Sequence, residues 1–245
     1  MAIIKTHSTS QVLAQAAAAH IQDSAFEAIA DHGFFSIALA GGSTPIPTYQ
    51  ILSAPPYEES MPWEKTHIFW GDERSVPPDH EKSNYKMAQD VLLDSLSFPE
   101  DNIHRIRGEL KPQEAAEEYE REIREFFNAD PPHFDLILLG MGTDGHTASL
   151  FPGSTALLSP QKSRLVLPNY IDTLDSWRIT FTPRLINAAF QVTFLVSGEK
   201  KAERVYQALS SRHQPDSLPA QIVNPAEGTV TWYLDAGASK YLHDA

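Results

Sequence analysis

Short apolar runs alternate with segments of helical periodicity along this chain, and that alternation limits the folds open to it. FFSIALA (34–40) runs into the turn GGSTP, THIFWGDE (66–73) supplies a second run, and FDLILLG (134–140) opens a glycine-rich loop. RLVLPNY (164–170), WRITFTP (177–183), QVTFLVSG (191–198) and GTVTWYLD (228–235) continue the pattern, and NIHRIRG (102–108) reads as a short strand. Buried strands separated by helices are the signature of an α/β fold. With no internal repeat and no convincing linker, one domain spanning 1–245 is expected.

The intervening helices follow from periodicity and end signals. Ser8 or Thr9 caps a first Ala-rich helix lasting to about Asp31 and ended by Gly33. Shorter helices are expected at 47–53, 83–96, 184–189 and 199–210. The clearest covers 111–128, with Pro112 early and an apolar stripe at Ala116, Tyr119, Ile123 and Phe127.

Charge narrows the partners. Thirty-two acidic residues against 19 Lys and Arg give a net charge of −13, which opposes a broad nucleic-acid or anionic-membrane surface. A small anion needs only a local cluster of donors, so a small-molecule ligand stays open. The chain has no cysteine, which removes disulfides, thiolate metal sites and a thiol nucleophile. No run approaches the roughly 18 apolar residues of a membrane span. The start MAIIKTHSTS lacks the basic and apolar regions of a signal peptide, so a cytoplasmic protein is expected.

Gly140, Gly142 and Gly145 have the spacing of a dinucleotide-binding turn, but the surroundings do not fit one. Such a turn opens a long helix and is followed about 20 residues later by an acid for the ribose. Here Pro152 arrives early, and Leu165 lies between Arg164 and Val166 where the acid belongs. The same glycines suit a sharp loop that displays Asp144, His146, Thr147 and Ser149 at the end of a strand. Histidine titrates near neutrality and can act as general base or acid. The plain alternative is a loop histidine satisfied by a backbone carbonyl.

Three further segments carry polar groups to strand ends. In LAGGSTP (39–45), Gly41 and Gly42 bring Ser43 and Thr44 to the start of a helix, either as an anion site or as an ordinary cap. No lysine follows the glycines, so this is not a Walker A loop. In FWGDERSVP, Asp72, Glu73 and Arg74 point to the same sheet edge, although Asp72 and Arg74 can equally be a structural ion pair. Toward the C-terminus, Arg178 precedes ITFTP, and Lys200 and Lys201 follow a strand in VSGEKKAE.

In this order, LAGGSTP, WGDERSVP with SNY, LGMGTDGHTASLFPG and RITFTPRLINAA with FLVSGEKKAE resemble the 6-phosphogluconolactonase family over roughly residues 35–235. That family belongs to a wider group with the glucosamine-6-phosphate deaminases and isomerases. In the deaminases the loop histidine is typically followed by IAFNEPG, whereas this chain has TASLFPG. The resemblance implies a mostly parallel, modified Rossmann-like sheet flanked by helices, and hydrolysis of 6-phospho-D-glucono-1,5-lactone. A lactone carbonyl is electrophilic and its ring alcohol can leave, so a base, oxyanion donors and a phosphate anchor suffice without metal or cofactor. By the same resemblance His146 is the base, Asp144 orients it, and Arg74 serves either the phosphate or the oxyanion. Gly41, Gly42, Ser43, Thr44, Arg178 and Lys201 lie on the phosphate side, with Lys201 preferred to Lys200 because it precedes Ala202, and Asp72 lines the site. An amino-sugar phosphate deaminase or isomerase is the alternative on the same frame.

Overall fold

A side-chain cap starts the first long element, and a left-handed residue ends it. In the computed structural model, which describes residues 2–210 and 212–242, Thr9 accepts a hydrogen bond from the Val12 amide, and Gly33 closes the helix at φ +95°. The elements in chain order are β1 (Ile3–His7), α1 (Ser10–His32), β2 (Phe35–Leu39), α2 (Ile46–Leu52), α3 (Tyr57–Ser60), β3 (Thr66–Trp70) and β4 (Asp72–Arg74). They continue with α4 (Asn84–Val91), α5 (Pro112–Phe127), β5 (Leu136–Leu139), β6 (Val166–Ile171) and β7 (Ser176–Phe181). The last are α6 (Pro183–Ile186), β8 (Gln191–Val196), α7 (Ala202–Ser210) and β9 (Thr229–Asp235).

Six strands form one parallel sheet in the order β1-β9-β8-β5-β2-β3, and a smaller antiparallel sheet has the order β4-β7-β6. The expected α/β architecture with a mostly parallel sheet is present. Strands β2 and β5 are buried along their whole length, as strands covered on both faces must be. The Ala-rich face of α1 lets that helix approach the sheet closely through Ala14, Ala18 and Ala25, all fully buried.

Several segments differ from the sequence reading. THIFWGDE is two strands, because the chain changes sheets at Gly71: its N–H donates to Leu39, and its carbonyl accepts from Phe181. NIHRIRG makes only one bridge, Ile103 to Ile68, and then leaves β3 so that Gly108 can pass under Arg74, where a Cβ would lie 2.4 Å from the Arg74 carbonyl. The N-terminal IIKTH is an edge strand paired to β9; its isoleucines are half exposed, so no burial pattern announced it. The 83–96 segment is α4 followed by a 3₁₀ turn at Leu93–Ser95, and 199–210 begins with a 3₁₀ turn at Glu199–Lys201. One helical turn, α3, lies in the Pro-rich loop.

Buried polar groups tie the layers together. Two buried tyrosines satisfy backbone groups where strands end: Tyr49 donates to the Ala40 carbonyl and accepts from its amide, and Tyr119 does the same at Trp70. At the opposite end of the sheet, Asp135 accepts from Ser36 N–H and Oγ at 2.8 and 2.7 Å, with His32 at 2.9 Å. Nearby, His104 donates Nδ1–H to Glu122 at 2.7 Å, so its Nε2 accepts from His67 Nδ1 at 3.2 Å.

Two histidines make the fold acid-sensitive. Burial pushes His67 and His20 from 6.5 down to about 4, helped by His104 and Lys5 respectively. The unfolded chain therefore binds these protons first, and stability is lost as pH falls from 6.5 to about 4. Melting temperature should drop across this window, and a His20→Gln, His67→Gln double variant should drop less steeply. Equal slopes would show that these histidines do not carry the effect.

Candidate active site

The chain leaves β2 toward β3 on one side, and leaves β5 toward β8 on the other, while β2 and β5 are neighbours in the sheet. Their carboxyl ends therefore flank a topological switch point, where open α/β sheets hold their ligands. A cleft of about 230 Å³ lies there, walled by the Leu39–Thr44 and Leu138–Gly142 segments and by Asp72, Arg74, Asn84, His146 and Lys201.

The first wall is the turn after β2. Gly42 takes φ +84°, which a side chain would strain, and Gly41 leaves space that Asn84 fills: a Cβ would lie 2.0 Å from Asn84 Oδ1. The cap of α2 is Pro45, with no side-chain cap bond, so Ser43 and Thr44 do not serve as the ordinary cap. Among the described residues the Gly41–Thr44 amides donate to no protein acceptor, and these residues line the cleft.

The second wall is the loop after β5. His146 Nδ1 lies 2.6 Å from Asp144 Oδ1, and the same oxygen accepts the His146 backbone N–H at 3.1 Å. A carboxylate at Nδ1 fixes the proton there and leaves the Nε2 lone pair free. Phe151 stacks on the ring at 4.1 Å between centroids, which sets the ring plane. Burial opposes ionisation of Asp144, yet the hydrogen bond and charge of His146 hold its carboxyl below the usual range. The loop glycines have steric work to do: Gly145 sits at φ +88°, and a Cβ on Gly142 would come within 2.3 Å of the imidazole.

The third wall comes from the small sheet and the start of α7. Antiparallel register sets Arg74 opposite Arg178, so both side chains leave the same face. Arg74 donates to the Lys82 carbonyl at 2.5 Å, and its buried Nε has no partner among the described residues. Arg178 does not line the cleft; its guanidinium folds back to Ser176 Oγ at 2.7 Å. Burial, and then the neighbouring Arg74 charge, lower the Arg178 pKa, and the Asp72 and Glu73 charges partly restore it. Burial likewise lowers the Lys201 pKa, and Asp235 partly restores it. Lys201 reaches the cleft, whereas Lys200 is exposed outside it.

Asp72 makes no ion pair with Arg74 and is instead hydrogen-bonded to Ser149 and Asn84. Glu73 and Asn84 escaped assignment from sequence. Buried Glu73 accepts from the Arg74, Asn84 and Tyr85 amides and from Ser83 Oγ, which fixes β4 to the start of α4. Burial pushes its pKa up, and these four donors pull it back. The SNY triplet was the available signal, but its contacts lie about ten residues away in sequence. Among the described residues no three His, Asp or Glu side chains cluster as metal ligands.

A histidine held in one tautomer, a turn with unpaired amides, and the cations Arg74 and Lys201 thus meet at the switch point of an α/β sheet. Residues 8–232 match the family model of glucosamine-6-phosphate isomerases/6-phosphogluconolactonases, and the chain belongs to that family. It is 41% identical over 236 residues to a 6-phosphogluconolactonase of Synechocystis sp., covering 95% of each chain. With the 6-phosphogluconolactonase of Haemophilus influenzae it shares 38% identity over 84% of this chain and 87% of the other. The solved 6-phosphogluconolactonase of Trypanosoma brucei superposes with a TM-score of 0.86 at 30% identity, covering 99% of both chains. A monomeric glucosamine-6-phosphate deaminase shares the fold, with a TM-score of 0.82 at 19% identity over 97% of this chain and 99% of that one.

The Gly142 contact gives a direct test. Gly142→Ala should displace the imidazole and cut turnover on the order of a hundredfold, since a displacement of about 1 Å costs that much. The melting temperature should change far less than turnover. A fully active Gly142→Ala protein would mean that His146 is free to move and that its position is not what the glycine protects.

Proposed function

We propose that this protein hydrolyses 6-phospho-D-glucono-1,5-lactone to 6-phospho-D-gluconate, in the oxidative pentose phosphate pathway of the cytoplasm, without a metal ion or cofactor. The observation that carries this reading is His146, paired to Asp144 and lining the same cleft as the Gly41–Thr44 turn with its unpaired amides. Its relatives at 41% and 38% identity bear the same activity in their names.

In this reading His146 Nε2 takes a proton from water as the water oxygen attacks the lactone carbonyl. The carbonyl π pair moves to oxygen and gives a tetrahedral oxyanion, which the cationic wall around Arg74 stabilises. When the oxyanion collapses, the bond from C1 to the ring oxygen breaks and the imidazolium returns its proton to that oxygen. Asp144 stabilises the transient imidazolium and keeps Nδ1 protonated. Lys201 and the Gly41–Thr44 amides hold the phosphate, and Arg178 adds positive charge behind Arg74.

The test generates the lactone in situ and subtracts spontaneous hydrolysis, with the protein pre-treated with EDTA. Turnover should persist. His146→Asn should lose about 10²- to 10⁴-fold in kcat, while still binding 6-phosphogluconate. Near-parental turnover by a folded Asn variant would remove His146 from the mechanism. Loss on chelation with recovery on one added metal would overturn the metal-free route. Ammonia release from glucosamine 6-phosphate without lactone turnover would replace the reaction altogether.

Lys201→Ala should raise KM for the phosphorylated lactone roughly ten- to a hundredfold, the value of a charge-assisted contact. Hydrolysis of unphosphorylated gluconolactone should be nearly unchanged. Equal damage to both substrates would place Lys201 at the reacting carbon or in the fold.

A further inference from the structure

Asp72 lies in the cleft wall at 8% exposure, yet both of its carboxylate oxygens are already engaged by the protein. Oδ2 accepts from Ser149 Oγ at 2.5 Å, and Oδ1 accepts from Asn84 Nδ2 at 3.3 Å. Asn84 Nδ2 also donates to the Asp72 backbone carbonyl at 2.8 Å. A carbonyl only accepts, so the orientation of the Asn84 amide is fixed.

The two partners belong to opposite walls. Asn84 is 1% exposed and fills the space that Gly41 leaves open, so it packs directly on the turn with the free amides. Ser149 follows His146 by three residues in the base loop. Its backbone N–H donates to Thr180 Oγ1 at 3.1 Å, and its carbonyl accepts from Asn169 Nδ2 at 2.8 Å. Between them Ala148 holds φ +47°, a conformation that costs a non-glycine residue energy and persists only where its surroundings fix it. Ser149 is therefore pinned to all three strands of the small sheet, and Asp72 continues that pinning to Asn84.

We propose that Asp72 is a positioning residue that braces the His146 loop against the Gly41–Thr44 turn, so that base and anion anchor keep one spacing. It acts through Ser149 and Asn84 and touches no reacting atom. The inference rests on the lactonase reading above. A carboxylate suits the brace because it accepts from both donors. An amide keeps both contacts too: its carbonyl accepts from Asn84, and its NH₂ donates to the Ser149 hydroxyl, which rotates to receive it.

That equivalence supplies the test. Asp72→Ala and Ser149→Ala should each lower kcat about ten- to a hundredfold, the cost of a misplaced group, with KM for the phosphorylated lactone changed by less than about threefold. The Asp72→Ala, Ser149→Ala double variant should be no worse than Asp72→Ala alone, because both cut one brace. Asp72→Asn should recover most of the lost turnover. Melting temperature and circular dichroism run alongside, and Ser149→Ala carries the test if Asp72→Ala does not fold.

Parental kcat in Ser149→Ala would overturn the brace. So would an Asp72→Asn protein as impaired as Asp72→Ala, since the carboxylate charge would then act on substrate or proton. A loss of kcat that merely follows loss of folded protein would reduce the contact to structural support. A parent without lactone turnover removes the functional reading and this role together, whereas a fully active parent with indifferent variants removes this role alone.

Discussion

The parallel pairing of β2 with β5 is the constraint on which the rest of the site depends. Register Ile37 to Leu136 and Ala38 to Ile137 brings two carboxyl ends side by side, while the chain departs from them in opposite directions. A crevice opens between them, as it does at the switch point of open α/β sheets. Both strands are fully buried, which makes their ends stiff supports. Loops that begin on stiff strands can hold an amide row and a histidine in fixed relation, and a reaction that depends on geometry needs that.

Missing side chains shape the crevice as much as present ones. Gly41 makes room for the Asn84 amide, Gly142 for the imidazole and its carboxylate, and Gly145 for Leu218. A methyl group at any of these positions would meet an atom within 2.3 Å. The glycine pattern that imitates a dinucleotide fingerprint has a different cause here: the backbone turns tightly so that His146 and Asp144 can meet two residues apart.

Electrostatics works against the average of the molecule. The chain carries −13 overall, yet Arg74 and Lys201 line one crevice with Arg178 beside Arg74, and burial lowers the pKa of both Arg178 and Lys201. Nearby carboxylates offset only part of that cost: Asp72 and Glu73 act on Arg178, and Asp235 on Lys201.

What the sequence determined by itself was mostly local. The apolar runs announced the strands, Thr9 and Gly33 marked the ends of the first helix, and the four quoted segments carried the family resemblance that its family model and relatives support. The proximity of Asp144 to His146 was within reach, because two residues on a tight loop interact through local geometry. Tertiary structure alone decided that the chain changes sheets at Gly71, that IIKTH pairs with β9, and that Arg178 turns back toward Ser176. It also decided that Asp72 engages Ser149, 77 positions away, rather than Arg74 two positions away. The physical reason is range: caps, turns and alternation are set by neighbours within a few residues, whereas a half-exposed edge strand or a buried carboxylate acquires its partners only when distant segments pack together.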